Sequence, residues 1–143
     1  MELQLFGINH KTTKLSEREL FIINDSNQED FKNFFQRAFG DCVESFFALS
    51  TCNRTEVYIF GMEFNIIQIA QKTLEFFGPS DLLNNDLYFL KGNEAIEHMC
   101  CVASGLDSQV LGEQEILGQF KKSIQTYIQL GALKGSFQRL TDD

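Results

Sequence analysis

The order in which strand-like and helix-like segments alternate is the most constraining feature of this sequence. Segments with strand character cover residues 2–9, 43–49, 56–60 and 86–91, where β-branched, aromatic and other apolar residues cluster between turn residues. Apolar residues at helical spacing lie between the first two strands and again between the last two. The order β-α-β-β-α-β, followed by helices, predicts an α+β fold. We expect a ferredoxin-like split βαβ antiparallel sheet with helices, plus C-terminal helices.

The predicted helices are bounded by recognisable start and stop residues. Ser16 with Glu19 forms a capping box, Gly40 follows the second helix, and Gly78-Pro79 follows the third. The helices are predicted from Ser16 to Phe21, from Gln28 to Phe39, from Ile67 to Phe77, from Asn93 as a cap through Cys100, and from about Glu113 to Leu130.

Length and composition predict one domain in the cytoplasm. The chain has 143 residues, of which 43% are hydrophobic, so it can bury a real core. No apolar run is long enough to cross a bilayer, and the N-terminus lacks the basic and apolar stretches of a signal peptide, so no membrane association is expected. The net charge of −8 argues against broad, sequence-independent binding of nucleic acid, which depends on neutralising phosphates.

The four cysteines are predicted to be reduced and free of metal. They occupy positions 42, 52, 100 and 101, with no Cys-x-x-Cys pair, and the two adjacent cysteines cannot easily bind one ion together. We expect Cys100 or Cys101 to pack as a small apolar side chain on a helix. The alternative is a metal site formed by His98, Cys100 and Cys101.

The segment from Leu49 to Tyr58 indicates a nucleophile at Cys52. It is expected to be the turn or loop that joins two strands, and Arg54 with nearby hydrogen-bond donors favours the reactive thiolate. Arg54 is either a bidentate clamp for a substrate carboxylate or an exposed turn cation. Thr51 and Asn53 either donate hydrogen bonds to a reacting oxygen or satisfy the backbone of the turn itself.

His98 and the glycine-rich stretch 105–119 supply the other polar candidates. His98 either pairs with Glu94, one helical turn earlier, or carries a proton for the thiol or the leaving group. The stretch is either an ordinary loop that leads into a helix or one wall of a cleft. It contains no glycine pattern of a nucleotide site. The polar side chains it would offer to a cleft are Ser108, Glu113 and Gln119.

Three blocks of sequence together resemble the N-terminal catalytic domain of the glutamyl-tRNA reductases. They are residues 7–12 (GINHKT), residues 50–58 (STCNRTEVY), and His98 with the motifs in 102–119. The resemblance implies that Cys52 attacks the ester carbonyl of glutamyl-tRNA and forms a glutamyl thioester. It also implies that NADPH then reduces this thioester to glutamate-1-semialdehyde, the precursor of 5-aminolevulinate in tetrapyrrole (porphyrin) biosynthesis.

The resemblance also implies a set of site residues. Cys52 and His98 match catalytic residues of the family. The matches to substrate-binding residues are Thr51, Asn53, Arg54, Ser108, Glu113, Gln114, Glu115 and Gln119. The family usually has Glu-Pro-Gln where this chain has Glu113-Gln114-Glu115, so position 115 carries a negative charge in place of an amide donor.

Members of the family carry further domains after this region, one that binds NADPH and one that mediates dimerisation. Residues 1–143 are therefore predicted to be a catalytic domain excised from a longer chain. By this prediction it binds glutamyl-tRNA and forms the thioester, whereas NADPH is bound by a domain absent from this chain. The full-length enzyme is expected to be a homodimer through a missing domain and to have the aminomutase of the next reaction as a partner.

Two other functions are consistent with the residues. One is a generic acyl hydrolase that uses Cys52 and His98 as a Cys-His pair. The other is a non-catalytic module that binds RNA or a protein partner, because ferredoxin-like sheets often present a binding face.

Overall fold

The computed structural model describes residues 2–78, 87–105 and 116–135. In this part of the chain the strands are β1 (Glu2–Asn9), β2 (Val43–Ser50), β3 (Arg54–Gly61) and β4 (Tyr88–Lys91), and the helices are α1 (Leu15–Arg18), α2 (Gln28–Phe39), α3 (Ile66–Phe77), α4 (Asn93–Ser104) and α5 (Ile116–Gln129). The strands form one antiparallel sheet in the order β2-β3-β1-β4. This is the arrangement of the split βαβ fold, so the predicted fold class is confirmed.

Helices cover both faces of the sheet. On one face Phe6 of β1 stacks on Phe21, below α2 and α3. On the opposite face Phe47 and Tyr58 stack on each other at 4.7 Å, and Phe120 of α5 packs edge-on against Phe47 at 5.5 Å. The C-terminal helices therefore bury the second face. Because helices cover both faces, nearly every residue of β1, β2 and β3 is buried or half-buried.

The helices α2 and α3 form where their apolar stripes are predicted. In α2 the buried side chains are Phe31, Phe35 and Phe39, spaced four residues apart on one face. The side chain of Asn65 caps α3, because its oxygen accepts hydrogen bonds from the backbone N–H groups of Ile67 at 3.1 Å and Gln68 at 3.2 Å. Local sequence therefore determines these two helices.

Several predicted boundaries are wrong. The helix α1 begins before Ser16 and ends at Arg18, so Ser16 cannot be its cap. The cap of α4 is Gly92, with φ of 62°, rather than Asn93, and it makes no side-chain cap bond. The strand β3 begins at Arg54, two residues earlier than predicted, because the ladder with β1 extends to the pair Asn9–Arg54. In the described residues β4 begins at Tyr88. The predicted strand residue Asp86 and the predicted helix start at Glu113 lie outside the described residues.

The prediction that Cys100 or Cys101 packs in the core is also wrong. Both side chains are exposed. The helix α4 instead buries Ala95, Met99 and Val102, which share one face at helical spacing. Each residue of a helix is rotated by about 100° around the axis from the one before it. Positions 100 and 101 are therefore rotated by about 100° and 200° from Met99 and point away from that face.

The described ranges lack two features that are typical of other classes of protein. No group of three or more His, Cys, Asp or Glu side chains there could hold a metal ion. Across these ranges, none of the helices combines the length and the apolar character that crossing a bilayer requires.

Candidate functional site

A tight turn presents Cys52 at the end of the β2–β3 hairpin. The backbone N–H of Thr51 donates to the carbonyl oxygen of Arg54 at 2.8 Å and closes the turn. The hydroxyl of Thr51 accepts a hydrogen bond from the backbone N–H of Asn53 at 3.2 Å. The turn thus uses this hydroxyl for its own backbone, and the thiol of Cys52 is exposed at the tip.

A chain of hydroxyl groups fixes the base of this turn. Thr55 donates to the carbonyl oxygen of Phe21 at 2.8 Å, so Ser50 donates in turn to the hydroxyl of Thr55 at 2.8 Å. The hydroxyl of Ser50 also accepts from the backbone N–H of Ile23 at 3.2 Å. The end of the hairpin and residues 21–23 therefore form one braced unit, which holds Cys52 in a defined place.

The amide side chain of Asn53, the residue after Cys52, is buried. Its residue is only 8% exposed, and its Nδ2 atom has no hydrogen-bond partner among the described residues. Buried donors are rarely left without a partner. Asn53, which follows Cys52 in the sequence, therefore has a side-chain donor without a described partner.

Behind the turn lies a buried ionic network, here called the Glu56 cluster: Arg54, Glu56, Tyr58, Tyr88 and His98. The side chains of Arg54 and Glu56 are fully buried, and Nη1 of Arg54 lies 3.7 Å from Oε2 of Glu56. Tyr58 donates to Oε1 of Glu56 at 2.7 Å, and Tyr88 donates to Oε2 at 2.5 Å. The Nε2 atom of His98 also contacts Oε2. One carboxylate therefore joins β3, β4 and α4.

A glycine makes room for this carboxylate. In the sheet Gly7 lies directly opposite Glu56 on one side and Tyr88 on the other. A Cβ atom at position 7 would lie 2.8 Å from Cγ of Glu56 and 2.6 Å from the carbonyl oxygen of Thr55, closer than atoms can approach. The bare backbone of Gly7 lets the side chain of Glu56 cross β1 and reach Tyr88.

Ionisation in the Glu56 cluster follows from these contacts. Burial alone would raise the pKa of Glu56, but the hydrogen bond and charge of His98, the charge of Arg54 and the hydrogen bond from Tyr88 together lower this pKa below its ordinary value of 4.5. Burial and then the adjacent carboxylate raise the pKa of Tyr58 well above 10.0, so Tyr58 stays a donor. Because an ionised carboxylate only accepts hydrogen bonds, Nε2 of His98 must carry the proton in its contact with Glu56.

The structure resolves some of the alternatives left open by the sequence. Arg54 is buried against Glu56, so it is not an exposed turn cation. The carboxylate that His98 contacts is Glu56 rather than Glu94. In the described part of the chain no hydrogen bond joins the thiol of Cys52 to His98, so a preformed Cys-His pair is absent there. The predicted contacts Ser108, Glu113, Gln114 and Glu115 lie outside the described residues.

A cavity of about 460 Å³ opens beside the thiol and is here called the Cys52 groove. Its walls are residues 22–28 on one side and α5 on the other, and its floor follows the edge strand β2 as far as Cys52. Gln119 lines this groove together with Thr51 and Cys52. The structure therefore brings three of the predicted site residues around one cavity, whereas Arg54 and His98 belong to the Glu56 cluster.

Glu56 is the member of this region that the sequence does not single out as a site residue. The sequence predicts only that it lies in a strand. The available signal was its spacing, because Arg54, Glu56 and Tyr58 alternate along β3 and must share one face. A carboxylate at a core-facing position of a strand requires buried partners.

The chain is similar to known proteins of one family. The family model for the N-terminal domain of glutamyl-tRNAGlu reductase matches residues 6–143. The chain is 37% identical to a glutamyl-tRNA reductase of Desulfotalea psychrophila over 138 residues, which cover 95% of this chain and 32% of that protein. It is 38% identical to a glutamyl-tRNA reductase of Myxococcus xanthus over 140 residues, which cover 97% of this chain and 31% of that protein. The chain thus spans about a third of the length of these relatives.

A solved structure shows the same fold. The chain is similar to the glutamyl-tRNA reductase from Methanopyrus kandleri, with a TM-score of 0.67 and 34% sequence identity. The match covers 92% of this chain and 29% of that one. The strands, the helices and the Cys52 turn described above therefore belong to a fold that has been observed in this class of protein.

Proposed function

Because this chain belongs to the family of glutamyl-tRNA reductase N-terminal domains, we propose that it transfers a glutamyl group from glutamyl-tRNA to Cys52. One observation carries this proposal: the thiol of Cys52 is exposed at the tip of a braced turn and lines a cavity large enough for a substrate. A cysteine that only filled space in the core would be buried and would need no cavity.

The proposed reaction begins with attack by the thiolate of Cys52 on the ester carbonyl. The carbon–sulfur bond forms and the carbon–oxygen bond to the terminal ribose breaks. The ribose oxygen takes up the proton that the thiol of Cys52 released and leaves as the free hydroxyl of the tRNA. The product is a glutamyl thioester on Cys52. The carbonyl of a thioester is more electrophilic than that of a carboxylate, which suits it to accept hydride in the next step.

The surrounding residues have proposed roles that fit their geometry. The free donor of Asn53 is next to Cys52 in sequence and is suited to stabilise the developing oxyanion. Arg54 supplies a fixed positive charge behind the turn, where it attracts a substrate carboxylate. Glu56 holds His98 in one orientation, so His98 is the positioned proton carrier of the site.

Reduction of the thioester is not assigned to residues of this chain. In the proposed full reaction, hydride comes from NADPH, and the product is glutamate-1-semialdehyde for tetrapyrrole biosynthesis in the cytoplasm. The described residues do not fit NADPH, because their sheet is antiparallel and lacks the glycine-rich turn between a parallel strand and a helix that holds a dinucleotide. NADPH binding, a homodimer and an aminomutase partner remain predictions for regions of the enzyme outside these residues.

The test measures release of glutamate from glutamyl-tRNA by this chain without NADPH. We expect slow release, because water cleaves the thioester when no hydride is supplied. Cys52→Ser should abolish release, whereas the matched variant Cys100→Ser, which changes another exposed cysteine, should retain it. Undiminished release by Cys52→Ser would contradict the proposal. Equal rates on glutamyl-tRNA and on simple thioesters would instead favour the generic acyl hydrolase.

A further inference from the structure

We propose that Arg18, His10 and Asn53 form a binding site for a phosphate group, on the opposite face of the sheet from the Glu56 cluster. Their side chains contain four buried nitrogens that have no hydrogen-bond partner in the described part of the chain. These atoms are Nε and Nη1 of Arg18, Nδ1 of His10 and Nδ2 of Asn53. Because buried polar atoms are rarely left without a partner, several of them in one region indicate a site for a ligand.

The register of the sheet places His10 and Asn53 opposite each other. The ladder between β1 and β3 ends one residue before His10 and begins one residue after Asn53. Because side chains alternate between the faces of a sheet, Asn53 shares a face with Thr55, whereas Arg54 and Glu56 share the other face. Residues directly opposite each other in an antiparallel ladder lie on the same face, so His10 is on the side of Thr55.

A chain of contacts brings Arg18 to the same place. Thr55 donates to the carbonyl oxygen of Phe21 at 2.8 Å, and the backbone N–H of Phe21 donates to the carbonyl oxygen of Arg18 at 3.1 Å. The ring of Phe21 stacks on Phe6 of β1. The helical turn that carries Arg18 therefore packs against the end of the sheet from which His10 and Asn53 extend.

Arg18 lacks a carboxylate partner in a chain that is rich in carboxylates. The sequence contains 20 Asp and Glu residues and only 12 Lys and Arg residues. Glu17 and Glu19 flank Arg18, yet neither Nε nor Nη1 of Arg18 is hydrogen-bonded to a described residue. A buried charge without a partner costs free energy. An anion from outside the chain would remove this cost.

A phosphate group suits these donors better than a carboxylate does. The guanidinium group is a preferred partner of phosphate, and on Arg18 the atoms Nε and Nη1 lie on different edges of it. The amide of Asn53 is a donor, and Nδ1 of His10 is a donor when it carries the proton. The oxygens of a phosphate group point to the corners of a tetrahedron, so they accept hydrogen bonds from several directions. The two oxygens of a carboxylate lie in one plane and match a single planar fork.

Thermal denaturation of the whole chain tests the site, with inorganic phosphate as the probe and chloride at equal ionic strength as the reference. A ligand that binds only the folded chain raises the midpoint of unfolding, so phosphate should raise the midpoint of the wild type in a saturable way. Arg18→Gln should weaken phosphate binding at least about tenfold, as expected for loss of a charged hydrogen-bond donor. Arg37→Gln, which removes an exposed Arg of α2, should bind phosphate as the wild type does.

The comparison of the two anions separates a ligand site from a structural role of Arg18. Arg18→Gln should lose more stability in phosphate than in chloride, because its charge has no described partner in the free chain. An equal loss in both anions would mean that Arg18 serves the fold alone, and it would overturn the proposal. NMR of the wild type needs no variant: phosphate should shift the backbone amide signals of residues 10–18 and 53, and unchanged signals there would overturn the proposal as well.

Two further probes identify the chemistry of the ligand. Methyl phosphate that binds as tightly as inorganic phosphate would support a site for the phosphate group of a larger molecule. Binding of inorganic phosphate alone would support a site for the free ion. Acetate that binds more tightly than either would show a carboxylate site and overturn the choice of phosphate.

Asn53 connects this site with the reaction at Cys52. Under the proposed function, on which this step rests, its free donor stabilises the reacting oxygen, so a phosphate bound to the same Nδ2 competes for it. Saturating phosphate should therefore slow formation of the Cys52 adduct from glutamyl ethyl ester in the wild type and not in Arg18→Gln, as intact mass spectrometry can measure. An unchanged rate in the wild type would remove Asn53 from the phosphate site and overturn the three-residue proposal. Absence of any adduct would count against acyl transfer, whereas a phosphate-dependent midpoint would still support the site.

Discussion

Replacing Glu56 by Gln tests whether its carboxylate holds the site together. The substitution keeps the shape of the side chain and removes its charge. In the native chain this carboxylate is fully buried, accepts hydrogen bonds from Tyr58, Tyr88 and His98, and lies 3.7 Å from the guanidinium of Arg54. The groups around this carboxylate are all hydrogen-bond donors. The NH₂ group of a Gln side chain is also a donor, so it would face them without an acceptor.

The magnitude follows from two overlapping losses. A hydrogen bond to a charged group contributes about 1.5–3 kcal/mol, and loss of one partner from a buried ion pair costs about 3–5 kcal/mol. Because the same contacts are counted in both figures, we do not add them. We expect Glu56→Gln to lower the free energy of unfolding at pH 7 by about 3–5 kcal/mol, a large fraction of the ~5–15 kcal/mol of a typical domain.

The assay is urea unfolding followed by far-UV circular dichroism, since the chain has no Trp. The contacts lower the pKa of Glu56 below 4.5, so its stabilising effect is complete above about that pH and is lost as the pH falls through the lowered value. The difference between wild type and Glu56→Gln should therefore shrink in acid. The exposed Glu63→Gln is the control. If Glu56→Gln at pH 7 is within about 0.5 kcal/mol of this control, the Glu56 cluster does not stabilise the fold as described.

Three further changes have defined outcomes. Gly7→Ala should lower the free energy of unfolding by about 1–3 kcal/mol, because a Cβ atom would collide with Glu56 and the Thr55 backbone. Thermal denaturation measures this loss, and an unchanged midpoint would show that β1 and β3 can separate at no cost. Asn65→Ala should lower the free energy of unfolding by about 1 kcal/mol, because α3 loses its cap, whereas Asn65→Asp should retain most of the stability. Equal losses of stability in the two variants, measured by urea unfolding, would argue against capping. Iodoacetamide should label the exposed Cys52 of the folded chain faster than the half-buried Cys42, as peptide mass spectrometry can show, and the reverse order would contradict the described turn.

Sequence periodicity was sufficient for the fold because each element carries its own pattern. The helix α2 was predicted with both ends correct, since its phenylalanines recur on one face and Gly40 follows it. The turn at Cys52 was predicted because apolar strands flank a short polar segment. The strand pairing then follows from the β-α-β-β-α-β order, which has few antiparallel solutions.

The Glu56 cluster could not be derived in the same way because it depends on pairing across the sheet. Glu56 and His98 are 42 positions apart, and only the register that places Gly7 between Glu56 and Tyr88 lets the carboxylate reach its partners. The burial of Arg54 has the same cause, because pairing with Asn9 draws it into β3. The residues next to Arg54 in the sequence indicate neither its cross-strand pairing nor the position of Gly7. The sequence therefore does not decide whether Arg54 is buried or exposed.

The Cys52 groove likewise has no local signature. Its walls come from three segments far apart in the chain, residues 22–28, the end of β2 and α5. The resemblance to the family indicates Gln119 as a contact, and Gln119 lines the groove together with Cys52. The resemblance gives no indication of Lys122 or Ser123, which line the groove only because α5 packs on β2.

The central claim is that Cys52 accepts the glutamyl group, and intact-mass spectrometry of the chain mixed with glutamyl-tRNA tests it most directly. We predict a mass gain of one glutamyl group, located by peptide mapping on the fragment that contains Cys52, absent from Cys52→Ser and retained in Cys42→Ser. A glutamyl adduct that persists in Cys52→Ser, or no adduct on the wild-type chain under conditions that release free tRNA, would contradict the account.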